Sequence, residues 1–414
     1  MEQKKPLRTE LLLFFLLVGL VALANGLSDG VYGNYFKEVY QVTAVQRGFI
    51  EFPRELPGML CVVVMALLSG IGDLRSALLA QVLGLSGLLV LGLWTPSFGI
   101  MLVFLFINSM GMHLFMPLQD SIGMSLAEEG ALGRQVGRYT SVKSAVSFAA
   151  ALLVFIGFRT GFFSFQTKVK AVFLVGAVAF AAAICVAALL VRRVHPPRAE
   201  RKKIRLVFRK QYKYYYFLTI LQGVQKQIAY VYGSWVVIDL LRKGADVMAL
   251  LAIASNFLCI FFMRMLGRWM DRFGIKKMMM LDALTFIGVY IIYGCLVWGI
   301  TGGVLAPDRW AWGIYLLFVC DRLSMQIGVV KAVYLRSIAW DESEVTATLS
   351  TGLSLDHAVA IVAAMLGGYV WANFGSQWVF FMAAAFSLGN LYIALKVDPE
   401  KQREEALRHR AEKV

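Results

Sequence analysis

Six ionisable residues, Asp29, Glu55, Lys226, Asp321, Arg322 and Asp356, lie within stretches otherwise apolar enough to cross a bilayer. An ionisable side chain at bilayer depth costs about 2.5–3.5 kcal/mol on insertion scales, so it turns toward a partner or a water-filled cavity rather than toward lipid. A carboxylate there can load and release a proton, because desolvation favours its protonated form and a neighbouring cation its ionised form. The cations Lys226, Arg322 and Arg54 can bind a carboxylate or phosphate on a solute. The chemistry on offer is reversible binding of ions and charged solutes.

Spacing groups these residues into walls. Asn25, Asp29 and Tyr32 stand at i, i+4 and i+7, and Gln222, Lys226 and Tyr230 at i, i+4 and i+8, so each set predicts one polar stripe on a helix. If the stripes face each other, Asp29 and Lys226 are candidate ion partners. Asp321 and Arg322 are adjacent and point about 100° apart on a helix. Arg322 is expected to face a cavity because Tyr315 and Gln326 share its stripe, leaving Asp321 to meet another helix, with Lys226 or His357 as partner. Asp356 and His357 form a second adjacent pair. In Glu51-Phe-Pro-Arg54-Glu55-Leu-Pro57-Gly58 the three ionisable residues share a face, and the prolines free carbonyls that need other donors. A solvated outer mouth is the competing account of Glu51. His113, near Asn108, is either a solute contact or a bonded core residue. Asp120 and Lys143, near helix ends, suit an inner gate pair or interfacial snorkelling equally.

The elements that hold these residues follow from composition. Hydrophobic residues make up 59% of the 414-residue chain and charged ones 16%, which excludes a soluble globular protein and leaves no room for a large soluble domain. Apolar runs of about 20–28 residues without dyad alternation predict helices, not a barrel. The expected class is an all-α membrane protein with twelve spans: 9–37, 46–71, 76–95, 98–126, 139–158, 170–192, 213–241, 246–269, 277–300, 310–336, 344–372 and 377–396. The first run lacks a small-residue cleavage site and continues into the polar Asn25–Tyr35 segment, so it counts as a span rather than a signal peptide. Most of the 41 lysines and arginines fall in the loops on the side that holds both termini. Positive residues stay inside, so both termini are expected in the cytoplasm and the protein in the plasma (inner) membrane. The net charge of +15 is then topology and contact with anionic lipid, not nucleic-acid binding. Five cysteines within spans, at no metal-like spacing, are expected to be small core residues; no metal or cofactor is expected.

The basic, Pro-Pro-containing stretch 193–212 divides an N-terminal six-helix bundle, 1–192, from a C-terminal one, 213–396, with a cytoplasmic tail at 397–414. Sliding the chain by 198 residues sets Asp73 on Asp271, Tyr32 on Tyr230 and Ser28 on Lys226, as a parallel repeat would. The turn Gly267-Arg-Trp-Met-Asp271-Arg272-Phe-Gly274-Ile-Lys276-Lys277 resembles the signature of the major facilitator superfamily, Gly-x-x-x-Asp-Arg-x-Gly-basic-basic. The first-half copy around Asp73 is degraded, with Ser69, Leu74 and Ser76 at the first Gly, the Arg and the second Gly. The resemblance covers about residues 9–396. It implies two pseudo-symmetric six-helix bundles, with spans 1, 4, 7 and 10 lining a central cavity and spans 3, 6, 9 and 12 outside. It also implies a gating role for Asp73, Gly267, Asp271, Arg272 and Gly274.

No P-loop, nucleophile elbow, His-Glu-x-x-His or dinucleotide turn is present, so an enzyme and an ATP-driven pump are not expected. The expectation is a monomeric secondary transporter of a small anionic or zwitterionic organic solute, working by alternating access and coupled to H⁺ or Na⁺. Solute binding is assigned to Asn25, Asp29, Tyr32, Arg54, His113, Gln222, Lys226, Tyr230, Arg322 and Gln326, and proton coupling to Asp29, Glu55, Asp321, Asp356 and His357. Span 5 lacks the Gly-rich, Pro-containing pattern of drug–proton antiporters in the resembling superfamily, which counts against multidrug export. A lysolipid, amphiphile or drug translocator, suggested by 13% aromatic residues and 18 methionines, is the alternative. A non-transporting sensor on the same scaffold is the third.

Overall fold

Backbone groups in hydrocarbon must bond within their own chain, and the apolar runs here answer with helices. The computed structural model describes residues 8–68, 70–127, 132–194 and 208–411, and these form twelve spans and a tail helix. Span 1 is Arg8–Asp29 continued by Tyr32–Tyr40; spans 2 to 6 are Ala44–Leu68, Asp73–Leu93, Phe98–Ser125, Leu132–Arg159 and Ala171–Arg193. Span 7 is Lys213–Ile228 followed by π-helical turns at Ala229–Gly233 and Val236–Leu240. Spans 8 and 9 run through Ala245–Thr301 and part at Gly274, whose φ of 77° a residue with a Cβ adopts only under strain. Span 10 is broken into Pro307–Ile327 and Val330–Ile338; span 11 is Glu342–Phe374, span 12 Ser376–Lys396, and the tail helix Pro399–Ala411.

The expected spans differ mainly where polar residues sit at helix ends or glycines interrupt a run. Span 5 starts at Leu132 rather than 139, because Arg134 and Arg138 extend the helix beyond its apolar stretch. Spans 1 and 10 break beside Gly30 and Gly328. Most of the basic stretch 193–212, and Ser69, lie outside the described residues.

Two compact units emerge, one of residues 1–41, 53–203 and 244–253, the other of 42–52, 204–243 and 254–414. In the first, Tyr35 meets Phe173 edge-on at 4.9 Å, and Asn108 donates to the Gly84 carbonyl at 3.1 Å. In the second, Tyr212, Tyr215, Leu266, Met278 and Tyr334 are packed at the end of the bundle nearest the tail helix. The cysteines depart from expectation. Cys185 and Cys295 are exposed on outward helix faces, and the other three are only half-buried, because lipid rather than a core covers those faces.

Candidate functional site

Span 7 carries its polar stripe for one helical stretch and then loses it. Gln222 and Lys226 face a cavity of about 310 Å³ inside the second unit, at the low end of the size range of ligand pockets. Span 10 contributes Met325, Gly328 and Lys331 to the same cavity, span 11 Leu349, Gly352, Leu353 and Asp356, and span 9 Phe286. Lys226 donates to Asp356 Oδ2 with its ammonium, so the pair expected between Asp29 and Lys226 is made by a different carboxylate. Two ammonium groups against one carboxylate leave the cavity cationic, with Phe286, Met325 and the leucines forming an apolar wall. Such a lining fits a small organic solute bearing a negative charge.

Lys331 was hidden in the sequence. Read as one helix, 310–336 puts it with Arg336 among the basic residues that mark a cytoplasmic end. Spacing gave no signal: ten residues of helix beyond Asp321 rise about 15 Å, which from mid-depth just reaches the edge of a bilayer core of about 30 Å, so Lys331 reads as interfacial. The break after Ile327 then directs Lys331 into the cavity, where a Cβ on Gly328 would run into the Gln222 amide.

The remaining expected residues divide into those near charges and those that pack. Tyr230 leaves the stripe of Gln222 and Lys226 because the π-helical turn at Ala229–Gly233 shifts the register. It is 55% exposed and its ring lies 4.2 Å under the Arg322 guanidinium, which also covers Phe318 at 4.8 Å. Arg322 further donates to Ser234 Oγ at 3.4 Å, and Gln326 donates to the Arg322 carbonyl. Asp321 meets Tyr290 and Tyr293 of span 9 rather than Lys226: it is buried, and its Oδ1 has no hydrogen-bond partner, while Arg322 is not among the residues lining the cavity of about 310 Å³. His357 is buried next to Asp356.

In the first unit the stripe Asn25–Asp29–Tyr32 is broken, since the helix is interrupted at Gly30 and Val31. Asn25 is half-buried and Asp29 exposed, whereas Tyr32 is buried and donates to Asn108 Oδ1 at 2.9 Å. Asp29 lies 3.9 Å from Arg54, whose guanidinium sits over the Tyr32 ring at 5.7 Å. The Arg54 carbonyl, in the two-proline stretch, accepts from Ser109 Oγ at 2.5 Å, the kind of outside donor that stretch calls for. His113 is buried with its Nδ1 on Ser109, and Glu55 is half-buried on span 2. Glu51, in the segment 42–52 that belongs to the second unit, is not at a solvated mouth: it is 2% exposed, bonded by Arg47 at 2.5 Å and by Gln227 at 3.2 Å.

At the turns, Asp73 accepts from Ser121 Oγ even though its motif is degraded. Asp271 and Arg272 are exposed, Gly274 supplies the turn, and a Cβ on Gly267 would meet open space. Asp120 accepts from Tyr139 at 2.8 Å.

A family model described as Major Facilitator Superfamily matches residues 14–334, more than three-quarters of the chain. The chain belongs to that superfamily. As a major facilitator protein it is a multi-pass membrane transporter, not an enzyme. Among solved structures, the nucleoside transporter NupG matches with a TM-score of 0.73 at 13% identity, over 94% of this chain and 98% of that one. A POT family transporter in complex with 5-aminolevulinic acid matches with a TM-score of 0.74 at 13% identity, over 95% and 96%. Both share the fold. Multidrug resistance protein 2 of Bacillus subtilis (strain 168) is 31% identical over 122 residues, which is 30% of this chain and 27% of that protein. The match thus spans about a quarter of that relative's length.

Proposed function

We propose that this major facilitator protein moves a small organic anion or zwitterion by alternating access, driven by a proton or ion gradient. The observation that carries the proposal is the cationic cavity of the second unit, where Lys226, Lys331 and Asp356 stand together beside an apolar wall. Lys331 and Lys226 would hold the solute's negative group, while Asp356 keeps Lys226 oriented and offers a counter-charge for a zwitterion. Arg54 and Arg322, each placed over aromatic rings, are further solute contacts. Tyr230 and Gln326 are proposed with Arg322 in the second unit, and Asn25 and Asp29 with Arg54 in the first. Asp321 stays in the coupling set because its orphaned oxygen can be satisfied by a proton. The protein is placed in the plasma (inner) membrane, both termini cytoplasmic, as a monomer.

A ligand stabilises the state it binds, so a thermal-shift screen of the full-length protein against metabolites, at two pH values and two Na⁺ levels, is the first test. Anionic hits that are then accumulated by proteoliposomes under a gradient are the expected result. Uptake unchanged in Lys226→Ala would remove the anionic site from the account. Translocation of drugs or lipid-like amphiphiles is the second reading. The partial match to Multidrug resistance protein 2 and the apolar wall of the cavity favour it. Under it the same screen returns cationic or neutral amphiphiles, and the two lysines are dispensable. Binding without flux would instead identify a sensor.

A further inference from the structure

A second, much smaller chamber lies against the cavity, and of its lining only Gln222 was assigned a role from sequence. It measures about 20 Å³, room for one water-sized occupant, and is lined by Gln222 of span 7, Asp282 and Met279 of span 9, Val330 and Lys331 of span 10, and Asn390 of span 12. Two of its oxygens, Asp282 Oδ1 and Asn390 Oδ1, are buried without a hydrogen-bond partner. Asn390 is 2% exposed, and its Nδ2 is already committed to Gln225 Oε1 at 2.8 Å, so its amide is oriented with the bare oxygen fixed. Both orphans are acceptors, so the chamber suits a donor or a cation.

Lys331 lines the chamber and the large cavity alike, and among the described residues its ammonium makes no contact ion pair in either. The charged groups acting on it are Asp282 from span 9, Asp356 from span 11 and Lys226 from span 7; span 12 presents only the neutral Asn390. The large cavity already has the bonded pair Lys226–Asp356. Lys331 is therefore the cation with two destinations, Asp282 on one side and a bound solute on the other. A carboxylate buried in low dielectric cannot be left without compensation when its cation turns away.

We propose that Asp282 is a coupling site of this transporter: when Lys331 turns to an anionic solute, Asp282 takes up one proton, and the resulting carboxyl O–H donates a hydrogen bond to Asn390 Oδ1. One proton satisfies both orphaned oxygens. The site is on span 9, a helix that the superfamily resemblance places outside the cavity. The inference rests on the transport reading for its purpose, but not for its test.

The test needs no substrate. Removing the cation imitates its departure, so in purified full-length Lys331→Ala, and in Lys331→Met as a packing control, infrared spectra at neutral pH should gain the C=O stretch of a protonated carboxyl. That band should vanish in Lys331→Ala/Asp282→Asn. No gained band, or a band that persists in the double variant, would overturn the assignment. So would a band in Lys331→Ala that Na⁺ removes and choline does not, since the occupant would then be sodium. Gradient-driven uptake that survives in Asp282→Asn would sink Asp282 alone, leaving the transport reading intact. Failure to find any ligand or flux would sink that reading without touching the infrared result.

Discussion

At the scale of single residues, the Lys226–Asp356 pair sets stability against function. Truncating one partner of a fully buried pair costs about 3–5 kcal/mol, because the other charge is stranded. Here the Lys226 side chain is 33% exposed and Asp356 12%, so water relieves part of that cost. Lys226→Ala should lower unfolding free energy by about 2–3 kcal/mol and abolish binding of the anionic ligand. Lys226→Ala/Asp356→Ala should recover most of the stability and none of the binding. Thermal unfolding with and without ligand separates the two effects, and full stability in the single variant would mean that the pair is solvated. Gly328 makes a different demand. Alanine there pushes the Gln222 side chain into the cavity, a shift that a flexible amide can make. Gly328→Ala should keep its unfolding midpoint within a degree or two while ligand affinity falls about tenfold, the equivalent of about 1.4 kcal/mol.

At the scale of elements, the inner segment of span 10 decides where Lys331 stands. Val330–Ile338 is only nine residues long, too short to be a stable helix by itself, and it borrows order from the tail helix Pro399–Ala411. Tyr334 donates to Gln402 Oε1 at 2.9 Å, Arg410 donates to the Ala339 carbonyl at 3.0 and 2.5 Å, and Trp340 packs on His409 at 4.3 Å. Deleting the chain beyond Lys396 should therefore raise hydrogen exchange across 330–338 and weaken anion binding, with spans 3 and 6 unaffected. Exchange that stays the same in 330–338 would show that the segment holds itself. None of this docking was legible in the sequence, where the tail is simply a polar, charged run. The same blindness explains Lys331 and Tyr230. Hydropathy marks that a helix exists, but a two-residue break in span 10 and a π-helical turn in span 7 shift which side chains share a face without changing composition. By contrast Gly274 was readable, because a fixed motif forced a glycine where the backbone takes a positive φ. The twelve spans were readable too, since their lengths follow from bilayer thickness.

At the scale of the whole molecule, charge balance constrains what can drive transport. Most ionisable groups were found from sequence, since any charge in an apolar run is conspicuous; their partners were not, since pairing depends on which helices touch. Lys226 met Asp356 rather than Asp29, and Asp29 met Arg54. Taken together, Lys226, Lys331, Asp356 and Asp282 sum to zero, so under the proposed cycle the groups around the two chambers are neutral before solute binds. Adding a monoanion alone would make their sum negative, and each unit charge moved against the field costs about 2.3 kcal/mol per 100 mV. Adding the anion with one proton on Asp282 restores neutrality. Uptake should accordingly respond to a pH gradient and be indifferent to membrane potential. Proteoliposomes loaded with potassium and clamped with valinomycin give the measurement. Equal rates of anion uptake at zero and inside-negative potential, with acceleration when the outside is acidified, are expected. A rate that rises with inside-negative potential would mean that more than one cation accompanies each monoanion, and the pairing of one solute charge with one carboxylate would then be wrong.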